Sequence, residues 1–184
     1  MAAGSASAAS LDICGVTVLE STCTSGVIRA LPGQSISIQI SGSGFNNQTS
    51  GGDFQINFDP NAFTLTNFVV TNPPFDTSAI NDTDVATGTI NRVDVFKSTT
   101  GNVGPTFNVA TLTFDVKSLG NTGSNADMIS LAGSLVGWFE PDAITAYDVS
   151  YGSLQVSAVP APAAVWLLAT GIGGLVVRRW RKVA

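Results

Sequence analysis

Histidine is absent from this 184-residue chain. Without an imidazole, no Ser–His or Cys–His nucleophile pair can be assembled within it. Cysteine is nearly absent too, since Cys14 and Cys23 are the only two. Their spacing is not that of a CxxC redox motif, and two thiolates without further soft ligands do not make a zinc centre. Charge is scarce, at 11% of residues, and cations are scarcest. Only Arg29, Arg92, Lys97 and Lys117 precede Pro160, whereas all thirteen acids do, which leaves that part nine charges negative. Phosphate neutralisation needs clustered Lys and Arg, so nucleic acid is excluded as a partner. No window before Pro160 repeats apolar residues at helical spacing.

What remains is a strand-forming pattern. Ile36, Ile38 and Ile40 alternate with Ser35, Ser37, Gln39 and Ser41, the period of a half-buried strand. Phe54, Ile56 and Phe58 repeat the pattern within 53–59, before a turn at Asp59-Pro60-Asn61. Further strands are expected at 63–70, 89–97, 108–117, 128–131, 144–149 and 153–156. In 89–97 the spacing of Ile90 and Val93 breaks the alternation, which predicts a bulge. The segments 42–52 and 71–84 read as loops, the latter through Pro73-Pro74 and its three aspartates. Short alternating strands at spacings near ten residues predict an all-β antiparallel sandwich, and about 150 residues suffice for one such domain.

Few side chains could carry chemistry. Glu140 with Asp142, or Asp82 with Asp84, are the only close carboxylate pairs for glycosidase work, and both sit in expected loops where solvated acids are the default. Asp76, Asp82 and Asp84 could together offer oxygen ligands to Ca²⁺, but the EF-hand spacing is absent and solvated acids are again favoured. No other cofactor is implied, and the chain reads as no enzyme. Trp138 and Phe139 precede a turn; they either stack on a sugar ring or plug the end of the core, the second being favoured. Two glycosylation sequons, Asn47-Gln48-Thr49 and Asn81-Asp82-Thr83, are read as accidental. Cys14 and Cys23 are close enough to form a disulfide in an oxidising compartment, closing a loop of about ten residues and contributing about 2–3 kcal/mol. Residues 1–10, MAAGSASAAS, are small and polar, like the remnant of a signal peptide or a disordered terminus.

The last 26 residues differ in kind. Pro160 and Pro162 stop any preceding element. Ala163 to Val177 then run fifteen residues without a charge, and Arg178, Arg179, Arg181 and Lys182 follow. Fifteen helical residues span about 22 Å against a hydrocarbon core of about 30 Å, so one thin transmembrane helix is expected if flanking residues snorkel. The basic end would stay cytoplasmic and the acidic domain outside. Val159, Pro160, Pro162, Trp166 and the closing Arg178, Arg179, Arg181 and Lys182 resemble the PEP-CTERM sorting signal of Gram-negative bacteria, with Ala161 where that family has glutamate. The resemblance implies an exosortase as partner, transient anchoring in the inner membrane, and delivery to the cell surface or extracellular matrix.

A second resemblance covers 28–157. Gly52-Asp53-Phe54-Gln55-Ile56-Asn57-Phe58-Asp59-Pro60, then Phe63-Thr64-Leu65, the block 110–117 and the closing Tyr151-Gly152-Ser153-Leu154-Gln155-Val156 resemble cohesin domains in order. This implies a nine-stranded jelly-roll sandwich, of a fold shared with carbohydrate-binding modules, over 11–158. It further implies a non-catalytic scaffold that binds a dockerin-like protein. A carbohydrate-binding module for an extracellular polysaccharide and a structural biofilm-matrix protein without a specific ligand are the alternatives. The acidic balance favours a basic partner and salt-sensitive association.

Overall fold

The computed structural model describes residues 8–45, 49–98, 103–120, 127–139 and 147–159. These form eleven strands: β1 (Ala9–Val16), β2 (Gly26–Ala30), β3 (Ser35–Ser43), β4 (Gly51–Phe58), β5 (Phe63–Val70), β6 (Thr77–Asp84), β7 (Thr89–Phe96), β8 (Phe107–Val116), β9 (Met128–Gly133), β10 (Val149–Tyr151) and β11 (Ser153–Ala158). One sheet runs β10-β1-β3-β8-β5 and the other β2-β11-β9-β4-β7-β6. Inward side chains from both sheets make one core, with Ile36, Ile38 and Ile40 facing Phe54, Ile56 and Phe58 in layers typical of a sandwich. Each such side chain, fully buried, contributes about 1.5–3 kcal/mol.

The bulge expected between Ile90 and Val93 is present. Phe54 pairs with Val93 and Ile56 with Ile90, so Gln55 faces two residues of β7. Both Ile90 and Val93 thereby stay in the core.

Several expectations need correction. Residues 77–84 are not part of a loop but an edge strand, paired with β7 from Thr77–Phe96 to Asp84–Thr89. All of its described side chains are exposed, so burial imposes no alternation on its sequence. β1 and β2 precede the first strand that alternation reveals, and β1 begins at Ala9, inside the segment read as a terminal remnant. The sandwich therefore has more than nine strands among the described residues, and two pairings, β1 with β10 and β2 with β11, are parallel. Both follow from one bend: β10 joins one sheet, Gly152 crosses over, and β11 joins the other. Residues 144–146 of the strand expected at 144–149 lie outside the described residues, as do Glu140, Asp142, Asn47 and Gln48 of the first sequon, and every sorting-motif residue after Val159. Among the described residues, no helix is long and apolar enough to cross a membrane.

Cys14 and Cys23 are joined in a disulfide with Cα atoms 5.3 Å apart. It closes a hairpin in which Gly15 and Thr24 exchange backbone hydrogen bonds at 2.9 and 3.0 Å.

Candidate functional site

Period-2 alternation leaves Asp53, Gln55 and Asn57 on the outer face of β4, opposite the buried Phe54, Ile56 and Phe58. Asp53 faces outward yet is 0% exposed, because the segment after β9 folds over it. The backbone N–H groups of Val136 and Gly137 donate to its two carboxylate oxygens at 3.0 and 2.5 Å. Gly137 can close this turn because its φ of 75° falls in the left-handed region. The carboxylate thus fixes a loop whose tip, Leu135, is 87% exposed.

Beside it stands Arg92, in the bulge of β7. Its Nε lies 3.5 Å from Asp53, and its Nη2 lies 2.8 Å from Asp94. Nε also donates to Asp94 at 2.9 Å, and Asn81 of β6 donates to the other Asp94 oxygen at 2.8 Å. Asp94 is buried, so this guanidinium is held by two shielded carboxylates and stays partly open to solvent. Such a pair presents a positioned cation whose geometry is set before any ligand arrives. Gln55, Asn81, Asn91, Arg92, Gly133, Ser134 and Leu135 line an open depression of ≈ 690 Å³. Amide and guanidinium groups line it beside Leu135, and the half-exposed Val136 follows Leu135 in the chain. Near this end, Tyr151 has its phenol pushed above the ordinary value of 10.0, first by burial and then by the charge of Asp53.

The outer face of the other sheet is plainer. Ser37, Gln39, Ser41, Thr111 and Thr113 dominate it, and Val69 is its exposed large aliphatic.

The residues singled out from the sequence do not assemble here. Trp138 is 0% exposed, which rules out a sugar-stacking role for it. Its ring stacks on Phe107 at 5.3 Å and contacts Phe45 at 5.1 Å, plugging one end of the core. Gly52 leaves the room: a Cβ there would come within 2.6 Å of the indole. Phe139 is only partly buried and packs against Phe96 with centroids 5.7 Å apart. Asp76 and Asp84 flank opposite ends of β6 and do not converge on a Ca²⁺. Asp76 accepts from the Ser98 N–H at 2.6 Å and Asp84 from the Thr87 N–H at 3.2 Å, while the side chain of Asp82 lies outside the described residues. Among the described residues no group of three acids or cysteines could hold a metal ion. The sequence reading gave no site role to Asp53, Arg92 and Asp94, and considered Asn81 only in other connections. One signal was there: Arg92 and Asp94 are two apart in a strand and so share a face.

No protein-family model matches the chain, and no curated protein matches it in sequence. Solved structures do. The seventh ScaB type I cohesin from Pseudobacteroides cellulosolvens is 19% identical, with a TM-score of 0.56 over 84% of this chain and 95% of that one. The cohesin in a Coh-OlpC-Doc435 complex, a type I cohesin–dockerin complex from Clostridium thermocellum, is 12% identical, with a TM-score of 0.58 over 86% of this chain and 99% of that one. The sixth cohesin of scaffoldin B from Acetivibrio cellulolyticus, solved with a Cel5 dockerin, is 19% identical, with a TM-score of 0.55 over 82% and 99%. The chain has the fold of these cohesin modules.

Proposed function

We propose that this cohesin-fold chain is a non-catalytic docking module that receives a dockerin-like protein on the outer face of β9, β4, β7 and β6. The observation that carries the reading is the pairing of a prefixed Arg92 with a protruding Leu135 over an amide-lined depression. Interfaces draw most of their affinity from a few anchors, typically an Arg or a large apolar side chain, set among small polar contacts that seal out water. Gln55, Asn81 and Asn91 supply those contacts, and Asp53 spares Leu135 the ordering cost on binding by fixing its loop beforehand. The chemistry of the face is recognition: its acids are engaged with Arg92, Asn81 and backbone N–H groups.

The test is calorimetric titration against a panel of type I dockerins and against soluble polysaccharides. Leu135→Ala and Arg92→Ala should each weaken dockerin binding by about tenfold or more, with unchanged melting temperature for Leu135→Ala. Polysaccharide binding without dockerin binding would make the chain a carbohydrate-binding module. Neither, at micromolar concentration, would leave a matrix protein without a specific ligand.

The reading extends to location. The charge-free run from Ala163 to Val177 and the basic cluster after it support an exported domain, anchored first in the inner membrane and processed there by an exosortase. Its home is then the cell surface or biofilm matrix. Intact mass of the surface-released form should lack residues 163–184; a released form retaining them would count against processing.

A further inference from the structure

The end of the sandwich from which the chain departs has an unusual surface. At that end the Val159 N–H donates to the Ala30 carbonyl at 3.3 Å, so the chain leaves beside the last residue of β2. β1 runs parallel to β10 and ends at the same side, and beyond it lies the disulfide-closed hairpin. Thr17 and Glu20 exchange backbone hydrogen bonds at 3.1 and 3.3 Å, which leaves Val18 and Leu19 as the two residues of its tip. Two-residue hairpin tips favour Gly, Asn and Asp, which accept the required backbone and like water. Here the tip is two aliphatic side chains, 74% and 52% exposed. The Thr17 hydroxyl accepts from the N–H groups of Leu19 at 3.2 Å and Glu20 at 3.1 Å, so the tip is held out rather than folded back. Val16 pairs with Ser37, and β3 begins two residues beyond that pairing, at Ser35, so the 31–34 turn sits level with the tip. That turn exposes Leu31 as well.

Charge follows the same geography. Of the four cations before Pro160, Arg29 and Lys117 belong to this end, against Glu20, Asp59, Asp115 and Asp127 there and Asp84 at the far sheet edge. This end therefore stays net negative, like the domain as a whole. Only Pro160, Ala161 and Pro162 separate Val159 from the charge-free run, and three extended residues reach about 10 Å.

We propose that this end of the sandwich seats on a zwitterionic lipid surface, with the Val18–Leu19 tip and Leu31 in the headgroup layer beside the anchor. The proposal rests on the anchored reading of residues 163–177. A linker this short holds the end within reach of the interface, where aliphatic side chains leave water. Anionic lipid fits less well, because the domain behind the tip repels it.

The experiment is amide NMR of the full chain in zwitterionic nanodiscs doped with a lipid carrying a paramagnetic headgroup. The signals of Val18, Leu19, Leu31 and Trp166 should be lost, while that of Leu135, at the opposite end, survives. Loss at Trp166 with Val18 and Leu19 intact would overturn the seating and leave the anchor standing. Survival of Trp166 would overturn both. In the double variant Val18→Ser, Leu19→Ser the Leu31 signal should return. If it stays lost, the linker alone holds the domain near the bilayer, and the tip makes no contact.

Discussion

At Trp138 an aromatic side chain that could have served a ligand serves the core instead. Among the described residues its indole N–H has no hydrogen-bond partner, an expense that a buried plug tolerates only because the surrounding ring contacts outweigh it. Trp138→Ala should therefore lower stability by about 3–5 kcal/mol, read by urea unfolding, and should leave dockerin titration of the folded fraction unchanged. Tyr151 makes a different prediction. Its folded phenol holds its proton above the usual value of 10.0. Stability present below that pH should fall as pH rises through the window between the unfolded and the raised folded value, since ionising the half-buried phenol opposes folding. Tyr151→Phe should flatten that part of an alkaline stability curve; an identical curve for both proteins would exclude the effect. Residue identity was legible for both groups, but side-chain direction was not. An indole before a turn looks the same whether the chain then bends toward solvent or over the end of two sheets.

Among the elements, legibility tracked burial on one face. β3, β4 and β8 alternate because one face meets the core and the other water, and 35–41, 53–59 and 108–117 were readable for that reason. β6 pairs through its backbone alone and meets water on both faces, so its sequence is free to look like a loop. Asn81 nonetheless matters there, because its bond to Asp94 ties this edge to the proposed docking face. The disulfide-closed hairpin after β1 depends on a covalent tie: Cys14→Ser with Cys23→Ser should cost about 2–3 kcal/mol by loop entropy and free the Val18–Leu19 tip. Thermal unfolding with and without reductant would measure the first. Faster amide exchange at residues 17–20 would measure the second, and no change in either would remove the hairpin's structural role.

For the whole molecule, the excess of acids before Pro160 sets the long-range field. Association with a basic dockerin-like partner should slow markedly as salt rises from about 20 mM to about 500 mM, with smaller change in dissociation, because screening acts on encounter more than on the formed contact. Stopped-flow binding at the two ionic strengths checks this, and a salt-independent on-rate would contradict it. Composition alone decided the exclusions. Without imidazole, no Ser–His or Cys–His pair can form within the chain, and before Pro160 its acids outnumber its cations. Alternation alone decided that the domain is a sandwich, since period two is a local property. The tertiary structure decided which acids become scaffolding. Asp53, Arg92 and Asp94 meet only because a bulge shifts β7 by one residue and the segment after β9 folds across β4. Such meetings depend on register between strands far apart in the chain, and register is a property of the packed pair that neither strand carries by itself.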